Sequence, residues 1–139
     1  MIPTPEFYDL PNDYALAKEY LFYKIYDKQP YLDARDQCQS DGASLFLPES
    51  EDENKFMISL IPGEDIWIGA DDINNEGDFV SLDNKPLTWT KWAPNEPNNE
   101  AGNEDAAHII GSRSDMDVVG YWNDKSIARS SKFVCTLNI

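Results

Sequence analysis

The chain has 139 residues, of which 41% are hydrophobic and 12% aromatic, so it is long enough for one domain with a substantial core, and disorder is not expected. The formal net charge of −15 argues against nucleic acid or an anionic membrane as a partner and favours cations. No apolar run approaches the roughly 20 residues that cross a bilayer. The first residues lack a signal peptide, so Met1 indicates either an added start on a mature chain or a cytosolic start, and we favour the former.

The N-terminal part of the sequence predicts an extended segment, one strand and one helix. Residues 1–19 contain three prolines and form the predicted extended segment, so we place the single domain at residues 20–139. Residues 20–29 are aromatic and apolar, as is typical of a strand. A helix is predicted to follow, with Pro30 in its first turn and Gly42 just beyond its end.

A second helix is predicted to begin at Ser50. Ser50 and Glu53 have the spacing of a capping box, in which each side chain accepts a hydrogen bond from the backbone N–H of the other residue. Apolar residues then recur along one side of the helix, before a proline–glycine pair that ends it. These residues are Phe56, Met57, Leu60, Ile61, Pro62 and Gly63.

After residue 64, short apolar pieces alternate with loops that are rich in turn-forming residues. The pieces are DIWIGA, FVSL, LTWTKW, AAHII, YWND and KFVCTL. Two helices followed by a series of short strands predict an α+β fold with an antiparallel sheet. We see no internal repeat and no second domain.

The two cysteines, Cys38 and Cys135, leave two interpretations open. They are either two buried thiols or one disulfide that joins an early element to the C-terminal part of the chain. Cys38 follows Tyr31 and Ala34 at helical spacing, so we expect it to face the core. The sequence has no Cys-x-x-Cys pair and a single histidine, His108, which argues against a zinc site and against Ser-His-Asp catalysis.

The segment WAPNEPNNEAGNEDAAHII, residues 92–110, gathers oxygen-bearing side chains before a short apolar run. It contains four acidic residues and four asparagines, so like charges should repel there. Hard oxygen donors suit calcium, which takes about six to eight ligands in flexible geometry, although such loops are also common as solvated turns. The spacing is not that of an EF-hand. The candidate donors here and in the later YWND piece are Glu96, Asn98, Glu104, Asp105, Asn123 and Asp124.

Three further features bear on the binding chemistry of these side chains. A cis Glu96–Pro97 bond would let both flanking side chains point to the same side, and cis bonds are essentially confined to proline. A second acidic group, GADDINNEGDF, puts Asp72 and Glu76 four residues apart. Asparagine beside an acid also suits sugar hydroxyls, because the amide donates a hydrogen bond and the carboxylate accepts one.

Five pieces in one order along the chain resemble the C-type lectin domain. They are WIGADD, EPN, a second glutamate eight residues after the first, WND and a final FVC, and the resemblance covers about residues 20–139. It implies an α+β double-loop fold in which two helices flank antiparallel sheets and a long loop region binds calcium. It also implies carbohydrate binding without catalysis.

The resemblance implies ligands for two calcium ions. The principal, sugar-binding ion would be held by Glu96, Asn98, Glu104, Asn123 and Asp124. An auxiliary ion would be held by Asp72, Glu76, Asn99, Glu104 and Asp105. Bound cations would offset the repulsion between these acidic side chains.

The Glu-Pro-Asn order is similar to that of family members that bind the equatorial 3- and 4-hydroxyls of mannose, N-acetylglucosamine, glucose and fucose-type sugars. Galactose-type members carry Gln-Pro-Asp and usually a stacking aromatic, which residues 99–101 do not supply. The resemblance therefore implies a secreted mannose-type lectin that recognises glycans or pathogens in innate immunity. The alternative is a non-catalytic adhesion or mineral-associated protein that uses the same fold to bind protein or mineral.

The chain departs from the family at two places. Most members carry a second disulfide across the long loop, where this chain has Ala106 and Ile127. Asn99 stands where an aspartate would give a stronger auxiliary site.

For Cys38 and Cys135 we predict a disulfide between the first helix and the last strand, because both are expected to face the same core. The tryptophans and the histidine are expected to serve packing.

Overall fold

The computed structural model describes residues 14–18, 21–97, 105–111 and 116–138. Its elements are, in chain order, β1 (Ala15–Lys18), β2 (Leu21–Pro30), α1 (Tyr31–Ser40), β3 (Ser44–Leu45), α2 (Glu51–Leu60), β4 (Ile66–Asp71), β5 (Val80–Ser81), β6 (Ala106–Ile109), a 3-10 turn (Met116–Val118), β7 (Trp122–Lys125) and β8 (Ser130–Asn138). Within these ranges, no helix has the length and apolar character of a membrane-spanning segment.

Helix α1 confirms the first predicted helix. Pro30 was predicted to lie in the first turn and instead lies at the N-cap, one residue before it, where its missing N–H leaves no helical hydrogen bond unmade. Gly42 follows the helix with a φ of +74°, a conformation that disfavours any residue with a Cβ. The Ala43 N–H donates to the Cys38 carbonyl over 2.8 Å and closes the helix end.

Helix α2 confirms the second predicted helix and corrects its cap. The Ser50 Oγ atom accepts from the Glu53 N–H over 3.2 Å, as predicted. The prediction of the reciprocal bond was wrong, because Glu53 Oε1 accepts from the N–H of Glu49 over 3.1 Å and not from that of Ser50. The extended backbone of Ser50 carries the Glu49 N–H back within reach of this first-turn carboxylate, where the helix dipole also favours negative charge.

The strands form one sheet in the order β1-β2-β8-β4-β6-β7, with β3 paired to β8 and β5 paired to β4. The prediction of a purely antiparallel sheet is wrong at one place, because β4 and β8 are parallel. β8 comes last in the chain and enters between β2 and β4. It is antiparallel to β2, and this direction makes it run the same way as β4.

Two parts of the strand prediction differ from the structure. The piece LTWTKW, residues 87–92, forms no strand among the described residues, and only an isolated bridge links Trp92 to Trp122. The rings of Trp89 and Trp92 instead pack edge-on against Trp122, at centroid distances of 5.6 and 5.7 Å. β1 was not predicted, and it pairs with β2 although it lies inside residues 1–19. The domain boundary at residue 20 stays a prediction.

The sheet separates two apolar clusters, because successive residues of a strand face opposite sides. Ile66 and Ile68 face the α2 side with Met57, whereas Trp67 faces the α1 side with Tyr31. Gly69 allows β3 to approach β4 closely, since a Cβ there would lie 2.5 Å from the Leu45 carbonyl oxygen.

The predicted disulfide is confirmed. Cys38 on α1 and Cys135 on β8 are bonded, with their Cα atoms 5.2 Å apart and 97 positions apart in sequence. Both residues are fully buried in the cluster on the α1 side. The bond therefore ties a helix to the strand at the centre of the sheet.

Candidate functional site

The loop that carries Glu96 is a tight turn. The Glu96 N–H donates to the Ala93 carbonyl over 3.0 Å, and Asn95 has a φ of +67°. Proline at the second position and a positive φ at the third are the features of a type II turn, in which asparagine tolerates the left-handed conformation. The Glu96–Pro97 bond is cis, which is the form that the sequence-based hypothesis for this loop requires. The turn therefore sets the direction of the backbone that leads to Glu96.

Strand β7 lies beside this loop and carries two more of the predicted ligands. The Trp122 N–H donates to the Lys91 carbonyl over 2.7 Å, and the Ala93 N–H donates to the Trp122 carbonyl over 2.9 Å. Asp124 is fully buried, and Asn123 is half-buried. The Asn123 Oδ1 atom is buried and accepts no hydrogen bond from any described residue. A buried acceptor left unpaired is costly, so this oxygen fits a metal ligand.

Three of the predicted ligand residues lie outside the described residues. They are Asn98, Asn99 and Glu104. Of the principal set, the structure puts Glu96, Asn123 and Asp124 on two hydrogen-bonded segments. Of the auxiliary set, it describes Asp72, Glu76 and Asp105.

These three auxiliary residues form a compact carboxylate cluster. One oxygen from each of Asp72, Glu76 and Asp105 lies within 4.8 Å of the others. Ligands of one calcium ion lie at about 2.3–2.6 Å from it, so two of them are at most about 5 Å apart, and the cluster meets this limit. The backbone helps to hold it, since the Asp72 N–H donates to the Asp105 carbonyl over 3.0 Å and the Gly77 N–H donates to Asp72 Oδ2 over 2.8 Å.

The electrostatics of the cluster are those of carboxylates held close together. Asp72 is 2% exposed, and its Oδ1 atom accepts no hydrogen bond from the described part of the chain. Desolvation and the negative charge of Asp105 raise the pKa of Asp72. Desolvation, together with the charges of Asp72 and Asp105 and hydrogen bonds to them, raises the pKa of Glu76 to about 7.

The raised pKa of Glu76 predicts how stability depends on pH in metal-free protein. The folded state keeps this proton up to about pH 7, whereas the unfolded chain releases it near the ordinary value of 4.5. The folded state thus binds more protons in this window, and its stability falls as pH rises through it. In chelator, we expect the Tm of wild-type protein to fall relative to that of Glu76→Gln between these pH values.

Near neutral pH, calcium should make the Tm of wild type higher than that of Glu76→Gln. The ion binds the ionised carboxylate of the wild type, whereas the glutamine of the variant is a weaker ligand. Differential scanning fluorimetry across the pH range checks both statements. If the Tm values of wild type and variant changed in parallel with pH in chelator, the raised pKa of Glu76 would be contradicted.

The tryptophans, the histidine and the apolar pair that were discussed in the sequence lie in packed parts of the fold. Trp67 and Trp122 are fully buried. His108 is buried on β6, with Nδ1 3.6 Å from Asp65 Oδ2. The pair that replaces the second disulfide is apolar in the structure too, since Ala106 is buried and Ile127 packs against the same cluster. Packing thus occupies the place of the covalent bond.

One polar residue beside the site was not predicted from the sequence. Asn54 on α2 is fully buried and accepts a hydrogen bond from the Trp122 indole N–H over 2.8 Å. The signal was present, because Asn54 precedes Met57 by three residues and therefore lies on the buried face of the helix. A buried amide needs polar partners, and those of Asn54 lie at the start of β7 and just before it.

Comparison with known proteins agrees with this fold. Residues 27–137 match the family described as the lectin C-type domain. Collectin-11 of Bos taurus is 34% identical over 122 residues, which cover 85% of this chain and 42% of the relative. The mannose-binding protein of Gallus gallus is 39% identical over 98 residues, which cover 70% of this chain and 35% of the relative. The chain therefore spans about two fifths of the length of these relatives.

A solved structure has the same architecture. The carbohydrate-recognition domain of the mouse scavenger receptor C-type lectin superposes with a TM-score of 0.79 at 25% identity, covering 92% of this chain and 95% of that one. The order of elements, the carboxylate cluster and the family match lead to one assignment. This chain belongs to the C-type lectin domain family, whose members are non-catalytic carbohydrate-binding domains that generally depend on calcium.

Proposed function

We propose that this chain is a calcium-dependent lectin with mannose-type selectivity. The observation that carries the proposal is the junction at Trp122, where the loop that bears Glu96 hydrogen bonds to the strand that bears Asn123 and Asp124. The buried Asn123 oxygen adds support, because a metal ion would satisfy it. A relative that is named a mannose-binding protein is consistent with the same class of sugar.

We assign two sets of calcium ligands. The principal set is Glu96, Asn98, Glu104, Asn123 and Asp124. The auxiliary set is Asp72, Glu76, Asn99, Glu104 and Asp105. Both consist of carboxylate and amide oxygens, the donors that calcium prefers, and the formal net charge of −15 favours cation binding.

The chain's own side chains would orient the sugar. When bound, calcium supplies a centre that two vicinal hydroxyls can coordinate. The amides of Asn98 and Asn123 donate to these hydroxyls, and the carboxylates of Glu96 and Glu104 accept from them. This order of donors and acceptors suits the equatorial 3- and 4-hydroxyls of mannose, N-acetylglucosamine, glucose and fucose-type sugars. Residues 99–101 are Asn-Glu-Ala and offer no aromatic platform for galactose.

The setting that we propose is extracellular. The Cys38–Cys135 disulfide suits an oxidising compartment, in which such bonds persist. We propose a lectin domain at residues 20–139 after an extended segment at residues 1–19, secreted and acting in glycan or pathogen recognition in innate immunity. Nucleic acid is not an expected partner, because it is a polyanion and this chain is itself strongly negative.

Retention on mannose-agarose tests the proposal. In millimolar calcium, the protein should be retained, and free mannose or a chelator should release it, because both the sugar and the metal contribute to the bound state. Free galactose at the same concentration is the matched control and should leave the protein bound. Retention that neither mannose nor chelator disturbs would contradict the lectin assignment and favour an adhesion or mineral-binding role.

A further inference from the structure

The stretch that precedes the β7 ligands is fastened to helix α2 by a single buried side chain. Asn54 is fully buried, and its two polar atoms bind residues that are remote in sequence, at separations of 66 and 68 positions. Its Nδ2 atom donates to the Gly120 carbonyl over 2.9 Å, and its Oδ1 atom accepts from the Trp122 indole N–H over 2.8 Å. One amide thus fixes both the backbone and the ring just before Asn123.

Trp122 in turn joins the two segments that carry the proposed calcium ligands. Its backbone N–H and C=O bond to Lys91 and Ala93, and Ala93 opens the turn that carries Glu96. Its ring contacts the rings of Trp89 and Trp92 on the same loop. Rotation of the indole would therefore disturb its ring contacts with the loop, while the backbone bonds to Lys91 and Ala93 link the loop to β7 directly.

The burial of Asn54 needs a reason beyond packing. Its neighbour on the same face, Met57, fills the core with an apolar side chain, which costs no polar desolvation. An amide in this place is tolerated because both of its polar atoms are paired, and each pairing has a defined direction. A directional contact to the indole specifies one orientation, which an apolar contact does not.

We propose that Asn54 is a positioning residue of the calcium site, which acts through Trp122 to set the distance between Glu96 and the Asn123–Asp124 pair. The proposal rests on the proposed function, because it takes these three residues as ligands. Asn54 touches neither metal nor sugar. Its removal frees the indole and loosens the junction between the loop and β7.

Calcium titration of the full chain tests this inference. Asn54→Ala should weaken calcium binding at least about tenfold, measured calorimetrically at a temperature where every variant is folded. Leu45→Ala is the matched control, since Leu45 is buried in the cluster on the other side of the sheet. Its Tm should fall at least as far, while its calcium affinity changes less than about twofold, because lost stability alone does not alter a folded site.

A double-mutant cycle with Trp122→Phe shows whether the effect passes through the indole. Phenylalanine removes the N–H, so the Asn54→Ala/Trp122→Phe protein should bind calcium no more weakly than the worse single variant. Additive losses, or equal affinity of Asn54→Ala and Leu45→Ala, would overturn the inference. If wild type binds calcium and not mannose-agarose, the proposed function fails and the cycle still decides the role of Asn54. Absence of calcium binding by wild type would overturn both.

Discussion

Exchange of Glu96 for glutamine and Asn98 for aspartate is expected to abolish mannose binding while calcium binding persists. The carboxylate moves from one side of Pro97 to the other, so the summed charge and the number of oxygen ligands stay the same. The donors and acceptors offered to the two sugar hydroxyls change, which leaves buried polar groups unpaired. Each such group costs about 1–3 kcal/mol, so we expect at least about a hundredfold loss of mannose affinity.

Two readouts are needed for this double variant. The calcium-induced rise in Tm should resemble that of wild type, and retention on mannose-agarose should be lost, with weak galactose binding at most because no stacking aromatic follows. Asn123→Asp serves as the control, since it disturbs a sugar contact without exchanging the two residues around Pro97. If the double variant bound mannose as tightly as wild type, Glu96 and Asn98 would not be sugar contacts and the lectin mechanism would fail.

Loss of the Cys38–Cys135 disulfide is expected to have the largest effect on stability. The bond joins residues 97 positions apart, and closing a loop of this length stabilises the folded state by about 4–5 kcal/mol in the chain-entropy model. This is a large part of the total for a domain, which is about 5–15 kcal/mol. Urea denaturation of Cys38→Ala/Cys135→Ala should therefore show a much lower free energy of unfolding than that of wild type.

Reduced wild-type protein is the matched control, because it has the same sequence and lacks only the covalent bond. It should unfold at nearly the same urea concentration as the double variant. The intact mass of the native protein should be lower than that of the reduced form by two hydrogen atoms. Two free thiols in protein isolated from its source would contradict both the bond and the proposal of secretion.

The sequence predicted the elements whose boundaries have local causes. Pro30 and Gly42 bound α1, and Ser50 caps α2, because these residues act on neighbouring backbone groups. The parallel pairing of β4 with β8 could not be predicted, since it depends on where a distant strand enters the sheet. LTWTKW has the composition of a strand, and the edge-on packing of its tryptophans against Trp122 outweighs that preference.

The same distinction holds for the candidate site. Asp72 and Glu76 are near in sequence, and the resemblance to a known family supplied their partner Asp105, which the structure brings within reach of both. The burial of Asn54 follows from its spacing to Met57, but its partners Gly120 and Trp122 could not be predicted, because they are remote in sequence and only the fold makes them neighbours. Spacing alone reveals groups on one loop or one helix face, and it does not reveal a contact between two distant elements.

The central place of β8 has a consequence for synthesis. β8 is the last strand in chain order, yet it pairs with β2 on one side and with β4 on the other. As the chain leaves the ribosome, neither β2 nor β4 can pair with β8 until residues 130–138 have been translated. Cys38 likewise waits for Cys135 while 97 further residues are added. The nascent chain thus carries unpaired strand edges, which are prone to aggregation, until these residues have emerged from the ribosome, and the disulfide cannot form before then.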